Sequence, residues 1–209
     1  VEIDYVGMYK IMDDLVTERR SLQLARDKLN SVTSVRENIE EDLWSAFGMP
    51  ESGNDRITRQ GSPEVLEAAS VLGYMYESID EVVDRVETAL GMLEEATLEY
   101  ENLKNIGRSM NVRTVWLEFI LSGASSGGAG SFWGFLAMAS SLIDPAVNNA
   151  SSIYSMAAKA PNGGTFAESR ARDIWNKLTG QKAEIERISA RVEAVYLALR
   201  DWEEKNPKH

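Results

Sequence analysis

Residues 63–107, PEVLEAASVLGYMYESIDEVVDRVETALGMLEEATLEYENLKNIG, decide the fold class of this chain. Apolar or aromatic residues recur there in two heptad-spaced sets. One set is Leu72, Ile79, Val86, Leu93 and Tyr100; the other is Met75, Val82, Ala89, Ala96 and Leu103. A stripe alternating three and four residues apart is the buried seam of a long helix. Tyr76, Val83 and Leu90 widen the stripe beyond a two-stranded seam, which favours a multi-helix bundle. Ser62 followed by Pro63 reads as an N-cap and a first helical residue, where a missing N–H costs nothing. Gly73 and Gly91 each cost about 1 kcal/mol relative to Ala inside a helix. Close approach of a neighbouring helix is the expected reason for both.

Two further long helices flank this one. Residues 3–47 carry apolar positions at Met8, Ile11, Leu15, Leu22, Ala25, Leu29, Val32 and Ile39, with Glu18 and Arg36 interrupting the stripe. Pro50 biases Met49 away from helical geometry, so the helix is expected to stop before it. Residues 166–204 place Ala171, Leu178, Ile185, Val192 and Leu199 opposite Ile174, Gln181, Ile188, Val195 and Trp202. Thr165 with Glu168 three residues on fits a capping box. Gly180 beside Gln181 marks a weak point in that helix.

Between the second and last long helices the composition changes. Residues 119–143 form 25 consecutive positions without a charge, bounded by Glu118 and Asp144. Their middle, Ser122 to Ser131, reads SGASSGGAGS, and short apolar runs lie on both sides of it. The run is long enough for a spanning helix, but neither apolar arm alone crosses about 30 Å of hydrocarbon. A helix, Gly-rich turn and second helix is the expected form. Asp144-Pro145 then reads as the cap and first residue of a separate short helix ending near Ala158.

The fold expected from these signals is all-α: an elongated antiparallel bundle of three long helices, with an apolar Gly/Ala/Ser-rich hairpin and a short helix inserted before the last. The divisions are 1–108 for a hairpin of two long helices, 109–164 for the insert, and 165–209 for the last helix packing on the first two.

Composition narrows the function classes. The 209 residues include 22 Lys or Arg against 33 Asp or Glu, a net charge of −11, which argues against nucleic acid as a partner. The chain has no cysteine, and its single histidine is His209. Disulfides, thiolate chemistry and Cys-ligated metals are excluded, and a histidine base or metal site is not expected. No catalytic, metal or cofactor-binding residue is assigned. Glu40-Glu41-Asp42 and Glu94-Glu95 lack the histidine that carboxylate metal bundles require and read as solvated faces. No cleavable leader is read in Val1–Arg20, which carries acids at Glu2, Asp4, Asp13 and Asp14 and has no apolar run. A virion-associated chain, or one secreted without a leader, fits that reading.

The expected function is therefore a non-enzymatic, oligomeric helical protein whose apolar tip engages a membrane, with homo-oligomer contacts or other helical subunits as partners. The alternative is a structural or adaptor subunit of a virion, tail or secretion machine, with the apolar segment buried in protein. Membrane or partner contact is expected at Trp116, Phe119, Ile120, Leu121, Phe132, Trp133, Phe135, Leu136 and Met138. The oligomer or bundle seam is expected at Leu72, Ile79, Val86, Leu93, Leu178, Ile185, Val192 and Leu199. In architecture, the arrangement resembles the α-helical pore-forming toxins and the ejection proteins with which phages breach a cell envelope. That resemblance implies a rigid helical shaft and a membrane-active tip.

Overall fold

The computed structural model describes residues 3–47, 63–105, 130–161 and 165–207. They form five helices: α1 (Tyr5–Ser34), α2 (Arg36–Ala46), α3 (Pro63–Asn105), α4 (Phe132–Ala158) and α5 (Thr165–Lys205). Helix makes up 93% of the described residues and no strand occurs among them, so the described fold is all-α. Pro63 opens α3 and α2 ends at Ala46, as the cap and proline signals predict.

The chain divides into two compact units. The first draws on Val1–Arg26, Asp84–Ala139 and Glu184–His209. In it α1 runs antiparallel to α3: Tyr100 Oη donates to the Tyr9 carbonyl and to Asp13, and Arg19 donates to Thr97 and Glu101. It also runs antiparallel to α5, since Trp202 Nε1–H donates to the Asp4 carbonyl and Arg187 donates to Glu18. The second unit draws on Asp27–Val83 and Ser140–Ala183. There Tyr76 Oη donates to the Val32 carbonyl, Arg170 pairs with Asp42, and α4 runs antiparallel to α5 through Asp144–Lys182 and Tyr154–Arg172.

The structure corrects three sequence expectations. The first concerns Asp144-Pro145, which does not open a short helix. It lies in the middle of α4, a 27-residue helix that begins at Phe132. The reason is a stripe that runs through the proline in phase. Phe132, Leu136, Ala139, Ile143, Ala146, Ala150, Ile153 and Ala157 are all buried and follow a strict four-three repeat. Pro145 and Ser141 are both exposed, so the Ser141 carbonyl that loses its helical N–H partner can bond water instead. The cap that starts α4 is Ser131, whose Oγ accepts the Gly134 N–H at 2.9 Å. The first arm of the expected hairpin lies outside the described residues.

The second correction is that residues 3–47 are two helices, not one. Val35 sits between them at φ −98 and ψ 8. The preceding run, Ser31-Val32-Thr33-Ser34, is β-branched or hydroxyl-bearing and has weak helix propensity. Ser31 and Ser34 each donate to the carbonyl three residues back, competing with the helical ladder. In a continuous helix the Val32 carbonyl would accept the Arg36 N–H. Here it accepts the buried Tyr76 hydroxyl at 3.0 Å.

The third correction concerns the mid-helix glycines. A Cβ at Gly73 or Gly91 would meet nothing within 4 Å, and the same holds for Gly180. No neighbouring helix therefore requires them. Gly73→Ala, Gly91→Ala and Gly180→Ala are each expected to stabilise the protein by about 1 kcal/mol, through reduced freedom of the unfolded chain. Urea denaturation of the three single variants checks this; an unchanged or lowered midpoint would show that the glycines answer to something other than packing.

Candidate functional site

The residues expected to contact membrane or partner do not share one environment. Trp116, Phe119, Ile120 and Leu121 lie outside the described residues. Phe132 and Leu136 are buried on the inner stripe of α4. Trp133 is half-buried in the first unit, where its Nε1–H donates to the Ser189 carbonyl of α5 at 3.2 Å. Its ring meets Tyr196 edge-on at 5.7 Å and Phe132 at 5.8 Å. An indole that is hydrogen-bonded and flanked by two rings is anchored to its own chain. Phe135 is half-buried, and Met138 is 37% exposed. Of the five described residues, Met138 is the most exposed.

The eight seam residues, Leu72, Ile79, Val86, Leu93, Leu178, Ile185, Val192 and Leu199, are all buried within this single chain. The Leu103 side chain, also read as a seam position, lies outside the described residues.

Sequence reasoning missed a polar layer in the first unit. Glu18 reads as an interruption of the α1 stripe, yet it is only 4% exposed. It holds a seam position, seven residues before Ala25 and fourteen before Val32. Its carboxylate faces Arg187 at 3.3 Å and Arg191 at 3.8 Å on α5. The next residue, Arg19, turns to α3, donating to Thr97 Oγ1 at 2.8 Å and forming a two-pronged pair with Glu101 at 2.8 and 3.0 Å. Two consecutive residues of α1 thus engage two different helices. The Arg187 guanidinium is held above its ordinary range, chiefly by its hydrogen bond to Glu184 and further by that to Glu18. A buried carboxylate without a cation would be costly, so this layer selects one register of α1 against α5. The available signal was the heptad phase itself, which places Glu18 on the inner face.

In the acidic clusters Glu41, Glu94 and Glu95 are exposed, and Asp42 and Glu94 make contacts with other helices. Asp42 pairs with Arg170, and Glu94 accepts a hydrogen bond from Gln23 at 3.4 Å. Among the described residues, no group of three or more His, Cys, Asp or Glu side chains is placed to hold a metal ion. Among the described residues the arrangement offers polar registration and aromatic anchoring between helices. Comparison with protein-family models, with curated proteins and with solved structures finds no match to this chain.

Proposed function

We propose that this chain is a non-enzymatic helical subunit that works by contact with other helical protein, as a structural or adaptor part of a larger assembly such as a virion, tail or secretion machine. One observation carries the reading. The apolar stripe of α4, from Phe132 to Ala157, is buried against the chain itself, and Trp133 is tied to α5. The inner stripe of the described part of the uncharged segment is therefore used in internal packing. Contact with other subunits falls to apolar side chains left outward on the helices, of which Phe166 (77% exposed) and Tyr74 (64%) are the large aromatic ones among the described residues. Exposed aromatic anchors are the residue type that dominates protein interfaces.

The membrane-tip alternative rests on Trp116, Phe119, Ile120 and Leu121. No helix among the described residues is long and apolar enough to cross a membrane.

Flotation of the full chain with neutral and anionic vesicles, paired with sedimentation analysis, separates the two readings. The expected result is no flotation, with self-association that weakens in the Phe166→Ser, Tyr74→Ser double variant. Flotation of the intact protein would overturn the subunit reading in favour of the membrane one.

A further inference from the structure

Within the second unit, the α4–α5 pair contains one layer at which several weak features coincide. The ion pair between Lys182 and Asp144 places the Asp144-Pro145 turn of α4 beside the Gly180-Gln181 turn of α5. On the α4 side, Pro145 supplies no N–H, so the Ser141 carbonyl has no helical donor. On the α5 side, Gly180 is exposed and open, and contributes no side chain to packing. Gln181 occupies a seam position among apolar residues such as Ile174 and Leu178. It is only 6% exposed, and its Oε1 has no hydrogen-bond partner. Ala146, one residue beyond the proline on the α4 stripe, is small and gives little contact area to compensate.

We propose that this layer is a built-in joint, at which α4 and α5 of the second unit open locally before the rest of their seam. The physical drive is the closed state's own defect. A buried amide oxygen without a donor is unsatisfied while the helices are packed, and it gains water when they part. The backbone at the same level resists opening less than elsewhere, because α4 lacks one ladder bond there and α5 has a glycine. The Lys182–Asp144 pair acts as the latch. Both partners are substantially exposed, so the latch is weak and screened by salt. The inference does not depend on the function proposed above: a protein that floats with vesicles could still have this joint, and a rigid α4–α5 pair could still serve an adaptor.

Native-state hydrogen exchange of the full chain tests it, read by mass spectrometry of overlapping fragments. Amides at 142–149 and 179–183 are expected to exchange about tenfold faster than those at 150–157 and 170–177 of the same helices, with the gap widening at high salt. Gln181→Met removes the unpaired amide at similar volume and is expected to slow the fast set by about tenfold, leaving the other amides within about twofold. Pro145→Ala restores the ladder bond and provides an independent second variant with the same expected pattern. Even protection along α4 and α5 in the unaltered protein would overturn the proposal. So would a slowing in Gln181→Met that spreads evenly over all helices, because that would mark a global effect on stability and no local joint.

Discussion

Replacing Tyr76 with Phe is expected to destabilise the protein by about 1–3 kcal/mol, although only one oxygen atom is removed. Tyr76 is fully buried, and its hydroxyl donates to the Val32 carbonyl at 3.0 Å. That carbonyl lost its intrahelical partner at the Val35 break, so the tyrosine acts as a C-terminal cap delivered from another helix. Phenylalanine would keep the ring, along with the Arg36 guanidinium that lies 5.1 Å from its centroid. It would leave a buried acceptor without a donor. The variant also has a signature in pH. Burial pushes the Tyr76 phenol well above its ordinary value of 10.0; Arg36 opposes that shift and Asp80 adds to it. The folded state therefore favours the neutral phenol more than the unfolded chain does. The resulting stability is fully present below pH 10 and is lost as pH rises beyond it, because the unfolded chain ionises first. Urea midpoints at pH 8 and about pH 11 should thus fall further for the unaltered protein than for Tyr76→Phe. Tyr74→Phe, at an exposed ring two residues away, is the control and should change little at pH 8. Equal midpoints for Tyr76→Phe and the unaltered protein at pH 8 would remove the capping role.

How much of this architecture could be read from the sequence depended on side-chain size and on whether the deciding partner was local. α3 and α5 were legible because large apolar residues repeat at seven-residue spacing through both, and Ser62-Pro63 marks where α3 starts. α4 carries an equally regular repeat, but half of its inner positions are Ala: Ala139, Ala146, Ala150 and Ala157. Alanine contributes little hydropathy contrast against the Gly and Ser around it, so the stripe was hidden in a region that looks like a linker. Asp144-Pro145 then supplied a strong local start signal. It was outweighed because the proline falls on the outer face and the stripe continues past it. The α1–α2 break had a local cause in the Ser31–Val35 run, but the group that makes it tolerable, Tyr76, is supplied by tertiary structure. Glu18 shows the same limit more sharply. Its heptad phase was visible, while the arginines that make a buried carboxylate affordable lie on another helix, 169 residues away at Arg187. Of the expected contact residues, the aromatic and aliphatic types were read as a tip because they adjoin a glycine-rich run. What determines their environment for Phe132 and Leu136 is their phase on α4, which places them inside.

That placement makes Phe132→Ala the most destabilising change expected here, at about 3–5 kcal/mol. Phe132 is fully buried at the first turn of α4, immediately after the Ser131 cap. Its ring packs edge-on against Trp133, which is anchored by its bond to Ser189 and its contact with Tyr196. Truncation removes the transfer energy of the ring and leaves a cavity that this aromatic cluster cannot readily fill, since Trp133 is held by a hydrogen bond to another helix. Met138→Ala, one and two-thirds turns further along and partly exposed, is expected to cost less than about 1 kcal/mol. Urea denaturation of the full-length variants, with near-ultraviolet circular dichroism following the tryptophans, measures both. The order of the two effects separates the inward reading of α4 from the membrane reading. If Phe132 served lipid contact, its loss would leave unfolding in water nearly unchanged, and its effect would match that of Met138. A large cost confined to Phe132 means that this end of the uncharged segment is core, and that its aromatic residues contribute to folding stability before any contact outside the chain.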